Sequence, residues 1–381
     1  MKKVIKLYQW TTLGSSTPST FWMKKVIKLY QWTTSIPILA CILYFSGLLD
    51  NNFIFQIIAG VLLLLCVMSA VHHSEIIAHR VGEPYGTIIL AVSVTIIEVA
   101  IIISLMISGG PEYASFARDT VYAAVMLILN GIVGLCLFIG GRKFHTQTFS
   151  SHSVKIALVS IVSIVAFTMI LPTFTASIKG PYYTERQLLF EIFACLSIYI
   201  AFISAQTIRH REYFITDDTQ KPEAQQHSIS NTSLIISLVF LLISLVIVVL
   251  LAKSLSHPIE NVLVSHGLPK ALVGIIIAAV VLLPEGISAV TAARNNRLQT
   301  SLNLALGSAI ASIGLTIPTV SLISYIYDIP LVLGLDLLSL ILLVISIFTV
   351  MLSLIGGRSN SVYGVVLLVN LFAYVFLTIN P

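Results

Sequence analysis

GEPYGTIILAVSVTIIEVAIII, residues 82–103, opens with a polar turn and then runs as pure membrane except for one ionisable residue, Glu98. Why an apolar helix carries a carboxylate at its middle decides how the rest of the chain is read. The 381 residues are 57% hydrophobic and 10% charged, with mean hydropathy +0.98; a soluble domain holds about 25% charged residues. Apolar runs recur along the whole length, each long enough to cross about 30 Å of hydrocarbon as a helix. They lack strand alternation, so helices must satisfy the backbone in lipid. The sequence predicts an all-α polytopic membrane protein of about eleven transmembrane helices, near 35–49, 52–73, 86–108, 119–140, 152–174, 187–208, 232–253, 269–292, 301–324, 330–355 and 361–379.

MKKVIKLYQWTT stands at 1–12 and again at 23–34. The identical duplication, each copy beginning with Met, reads as an artefact or a misplaced start, with Met23 as the natural start. Residues 1–22 are set aside, and they lack the apolar core of a secretory signal. Cys41, Cys66, Cys136 and Cys195 each sit alone in an apolar run, without metal or disulfide spacing, and read as packing residues.

Basic residues set the orientation. With the N-terminus cytoplasmic, Arg80, Arg142, Lys143, Arg209, Arg211, Arg294, Arg297 and Arg358 fall inside, against Arg118, Lys179, Arg186, Lys253 and Lys270 outside. The expectation is a bacterial inner-membrane protein, N-terminus in and C-terminus out. The net charge of +5 follows from this bias and requires no nucleic-acid partner.

The polar stretch 209–231 divides the chain into a first helix (23–50), five spans (51–208), a cytoplasmic linker (209–231) and five more spans (232–381). In the first half Glu75 precedes a Pro-Gly turn and a helix with Glu98. In the second, Glu260 precedes Pro269, Gly274 and a helix with Glu285. Five is odd, so two copies must cross in opposite directions: one helix plus two inverted five-helix repeats, the plan of secondary transporters with a midplane site.

A charge at the bilayer centre costs about 2.5–3.5 kcal/mol on insertion scales, so two such residues at matching places point to function. Pro284 before Glu285 frees a backbone carbonyl one turn earlier. Ser93, Thr95, Asn130, Ser288, Asn303, Ser308, Ser312 and Thr316 add hydroxyl and amide oxygens as supporting ligands. Two carboxylates with oxygen donors suit Ca²⁺; without Cys or midplane His, zinc and copper are disfavoured. The pair holds one Ca²⁺ or about two H⁺, neutral either way. Glu75, Glu83 and Glu260 are candidates for vestibules at the two mouths. His72, Glu75 and His79 share a helical face, read mainly as a polar helix end, and Glu191 and Asp336 are expected at interfaces. Membrane-depth signatures of an intramembrane enzyme are missing, and a channel would leave the repeat and the carboxylate pair without purpose.

AHRVGEPYGTIILAVSVTIIEVAIIISLM (78–106) and LLPEGISAVTAARNNRLQTSLNLALGSAIASIGLTIPTV (282–320), supported by GLCLFIGGRKF and LIGGRSNSVYG, resemble the calcium:cation antiporter superfamily, closest to the Ca²⁺/H⁺ exchangers and their bacterial ChaA-type branch. The resemblance implies two inverted repeats, one essential Glu in each (Glu98 and Glu285), and export of Ca²⁺ against H⁺, with Na⁺ or K⁺ as further cargo and no cofactor. The partners so implied are the lipid bilayer and inorganic cations. The wider family's GNAxE reads VTIIE (94–98) and VLLPE (281–285) here, without the Asn. The alternative of a Na⁺(K⁺)/H⁺ antiporter on the same scaffold therefore stays open.

Overall fold

The computed structural model describes residues 18–49, 53–81, 85–214, 231–269 and 271–380. These fold into eleven principal helices: α1 (Pro18–Phe45), α2 (Phe53–Val81), α3 (Tyr85–Gly109), α4 (Phe116–Phe144), α5 (Ser151–Phe174), α6 (Glu185–Arg209), α7 (Asn231–Ser265), α8 (Ala271–Arg294), α9 (Leu298–Tyr327), α10 (Leu337–Leu354) and α11 (Ser361–Ile379). Ten are long and apolar enough to cross a membrane, and the apolar part of α1, Trp32–Phe45, is shorter. Large apolar side chains such as Phe45, Phe193, Phe348 and Phe372 stand exposed around the bundle, as lipid contact requires.

α2 and α7, 29 and 35 residues long, pack along each other more extensively than any other pair. At 1.5 Å per residue they measure about 44 and 52 Å, beyond the hydrocarbon thickness. Each therefore outruns its predicted span, and Glu75 and Glu260 ride on the overhangs. Ser69 Oγ donates to Thr33 O (2.6 Å) and lies 3.4 Å from Ser244 Oγ, while His73 stacks on Phe240. These contacts tie α1, α2 and α7 together.

α4 and α9 are the most enclosed helices, and each contains a widened π-turn, at Leu127–Ile132 and Ser312–Thr316. In α9 the cause is Pro318, which lacks an N–H and clashes with the carbonyl four residues earlier; a widened turn just before it relieves the clash. Pro172 stands in the same relation to the π-turn Ala166–Ile170 of α5. α8 by contrast stays helical straight through Pro284. α11 crosses α4 at backbone contact. A Cβ on Gly364 would meet Phe138 N and lie 2.7 Å from Gly134 O, so only glycine fits.

The span expected from 330 begins only at Leu337. Residues 331–335 are not helical, and their backbone is used across the bundle: Val332 N donates to Ala114 O (2.9 Å), Gly334 N to Pro181 O (3.1 Å) and Leu335 N to Met169 O (3.1 Å). Asp336 then caps α10, its side chain accepting from Ser339 N at 3.2 Å, so it lies at the helix start and not inside a span.

Candidate functional site

α3, α6, α8 and α9 surround one cavity of about 140 Å³. Glu98 from α3 and Glu285 from α8 both line it, 187 positions apart in the chain, as do Thr95, Tyr199, Gln206, Asn303, Ser308 and Ser312. The volume admits a cation with several waters at roughly 30 Å³ each. The cavity reaches from Glu98 toward Gln206 and Asn303, that is, toward the end of the bundle holding Arg209, Arg294 and Arg297.

Glu98 is 4% exposed. Its Oε2 accepts from Ser312 Oγ (2.8 Å) and Thr316 Oγ1 (2.9 Å), both on the π-turn of α9. Four residues apart, the two hydroxyls share one helical face and so meet on one oxygen. Hydrogen bonds to a charged group are worth about 1.5–3 kcal/mol each, which offsets part of the cost of burying the carboxylate. Glu285 is half-buried in the cavity wall, and its Oε2 has no hydrogen-bond partner. One acid is held and the other is left with an open acceptor.

The remaining expected ligands divide. Thr95, Asn303, Ser308 and Ser312 line the cavity. Ser93 is buried but not on its lining, and Ser288 is exposed. Asn130, fully buried on the α4 π-turn, donates to Ser346 Oγ of α10 (2.9 Å) and does not reach the cavity. Asn303 spends its amide elsewhere, accepting from Gln299 Nε2 and donating to Phe214 O, both at 2.7 Å. Tyr199, Phe202 and Gln206 of α6 were missed from sequence: an aromatic or a glutamine near a helix end carries no local sign of facing a cavity.

Among the vestibule candidates, Glu75 is half-buried on α2, and Glu83 lies outside the described residues. Glu260 accepts from Tyr113 Oη and lines a smaller cavity with Asp119 at the other end of the bundle. There Asp119 pairs with Arg118 (2.7 Å) and accepts from Ser115 Oγ (2.9 Å). Among the described residues no group of three His, Cys, Asp or Glu side chains could hold a metal, His72 and Glu75 included. Glu191, expected at an interface, is instead buried at 1% exposure, because α6 packs this face against α9 and not toward water.

A family model described as sodium/calcium exchanger protein matches residues 51–208 and 236–380. The chain is 41% identical to y4hA of Sinorhizobium fredii over 350 residues, 91% of this chain and 95% of that one. It is 31% identical to the sodium-potassium/proton antiporter ChaA of Escherichia coli over 350 residues, 90% and 94% of the two. The structure of native YfkE superposes with a TM-score of 0.70 at 18% identity, covering 92% of this chain and 99% of that one, a likeness of fold.

Proposed function

This chain belongs to the sodium/calcium exchanger protein family, a family of antiporters, and from that premise we propose that it exchanges a cytoplasmic cation for external protons by alternating access. Glu98 and Glu285 bind the cation and the protons in turn. The observation that supports this is their meeting on one cavity from distant helices. With one Ca²⁺ bound, the pair is neutralised; with it gone, about two protons do the same. An empty, doubly charged pair in a low-dielectric interior would cost several kcal/mol per ion, so the protein reorients only when loaded. That penalty makes the exchange obligatory.

We read 23–50 as a first helix, 51–208 and 232–381 as inverted repeats and 209–231 as the linker between them. The order of features repeats: long α2 and α7, acid-bearing α3 and α8, π-turned α4 and α9. The basic end is cytoplasmic by the positive-inside rule, with the N-terminus in and the C-terminus out in a bacterial inner membrane. The cavity then faces the cytoplasm.

Ca²⁺ is the first assignment, because two carboxylates balance a divalent ion. A second reading, Na⁺ or K⁺ against protons, is favoured by the lack of an Asn before either Glu and by Asn130 facing α10, which leave fewer amide oxygens near the pair. The name of the Escherichia coli relative points the same way.

Uptake of radiolabelled calcium and sodium into everted vesicles under an imposed pH gradient tests the reading. Glu98→Gln and Glu285→Gln should each abolish uptake with expression intact. Normal exchange in either variant removes the proposed site, and sodium transport without calcium transport replaces the lead ion.

A further inference from the structure

A third carboxyl lies in the bilayer and has no part in the cavity. Glu191, Cys195 and Tyr199 of α6, spaced at i, i+4 and i+8, form one buried stripe, 1%, 0% and 7% exposed. α9 packs against this helix, with Ser321 beside Glu191 and Ser312 sharing the cavity lining with Tyr199. The two helices approach closely here: a Cβ on Gly314 of the π-turn would sit 3.4 Å from Tyr199 Cβ. One end of this seam is the cavity, whose lining Tyr199 and Glu98 share. The other end is Glu191, six residues below the start of α6, about 9 Å at 1.5 Å per residue. That end lies away from the cavity's mouth at Gln206.

The polar atoms of the seam are unusual. Cys195 and Ser321 neighbour the Glu191 carboxyl, but neither reaches it with hydrogen-bond geometry. Glu191 Oε1 and Oε2, Ser321 Oγ and Tyr199 Oη are all buried without a partner. A structural glutamic acid would be anchored by a donor or acceptor. Orphaned buried polar atoms are instead what internal waters serve, each water making about three hydrogen bonds.

We propose that Glu191 is a proton relay, passing protons between the membrane face opposite the cavity mouth and Glu98 through water held in the α6–α9 seam. The inference deepens the reading of Glu98 and Glu285 as a shared cation and proton site and rests on it. In the step, the O–H bond of Glu191 breaks, the proton moves along the waters, and an O–H bond forms on Glu98. Glu191 is left a carboxylate until a proton from the aqueous side restores it. The titratable groups beside Glu191 are Cys195 on its own helix and Tyr183 before it. Tyr183 is engaged, donating to Phe167 O at 2.7 Å. Because Glu191 is buried, the seam is no open leak; protons pass only when the outer end is exposed by the transport cycle.

The test compares two fluxes in everted vesicles. Proton-gradient-driven cation uptake needs the relay, whereas isotope self-exchange of the same cation at equal pH needs only the cation site and alternation. For Glu191→Gln the driven flux should fall tenfold or more while self-exchange stays within twofold, and Glu191→Asp should recover part of the driven flux. A driven flux within twofold of the parent overturns the relay. So does a parallel loss of both fluxes at matched expression, in Gln and Asp variants alike, which would make the residue structural. Failure of the unmodified protein to show any proton-driven uptake would instead strike the exchanger reading itself.

Discussion

Replacing Thr316 by valine removes one of the two hydroxyls on Glu98 Oε2, the one at 2.9 Å, while keeping the side chain's size. The loss differs between the two loaded states. With a cation bound, Glu98 is ionised and loses a hydrogen bond worth about 1.5–3 kcal/mol; with a proton bound it is neutral and loses about 0.5–1.5 kcal/mol. The difference, about 1–1.5 kcal/mol, weakens cation binding relative to proton binding roughly five- to tenfold, at 1.4 kcal/mol per factor of ten. Ser312, still donating at 2.8 Å, prevents total loss. Initial rates of cation uptake into everted vesicles at fixed pH should therefore show an apparent KM raised roughly five- to tenfold, with the maximal rate largely kept. Ser312→Ala should act similarly, and the double variant should exceed the sum, since it leaves a buried oxygen with no donor at all. An unchanged KM in both single variants, at matched expression, would mean that Oε2 of Glu98 does not meet the transported ion.

Two predictions concern the scaffold. Gly364→Ala should destabilise the protein by about 1–3 kcal/mol or more, because its Cβ lands on the α4 backbone, 2.7 Å from Gly134 O; an unaltered melting temperature in detergent would refute the close crossing. Asp336→Ala should cost about 0.5–2 kcal/mol through the lost cap on α10. Partial burial acts to raise the Asp336 pKa, but hydrogen bonds from Ser339 and the Arg118 charge outweigh it and hold the carboxyl below the usual carboxylate range. Its contribution is thus full above the unfolded value, about 3.9, and fades as pH falls through the depressed folded value. Thermal melts from pH 7 downward should show the parent losing part of its advantage over Asp336→Ala only at acid pH, and a gap that closes near neutrality would contradict this.

How much of the site was legible depends on how far each feature is decided locally. Glu98 and Glu285 stand out because a carboxylate in an apolar run is an energetic anomaly readable at one position. Their depth then follows from helix geometry, whereas their meeting on one cavity is a matter of packing. Ligand choice is different. Asn130 and Ser312 both sit near the middle of a span, yet each lies on a π-turn, where one added residue rotates everything beyond it by about 100°. Sequence periodicity cannot foresee that phase shift, nor the packing by which Ser312 reaches Glu98 while Asn130 meets Ser346 on α10. Pro318 was the available signal for the α9 turn; α4 has no proline beside its own turn, and there the sequence offered none. Span ends failed for another reason. Hydropathy reports where lipid stops, whereas a helix continues while its hydrogen bonds and packing persist, as α2 and α7 do along each other. Glu191 and Asp336 make the same point in opposite directions. Both were expected at interfaces, but one is sealed by the α6–α9 contact and the other follows a non-helical segment whose backbone partners, Ala114, Pro181 and Met169, are far away in sequence. What local energetics decides was readable from the chain; what distant packing decides was not.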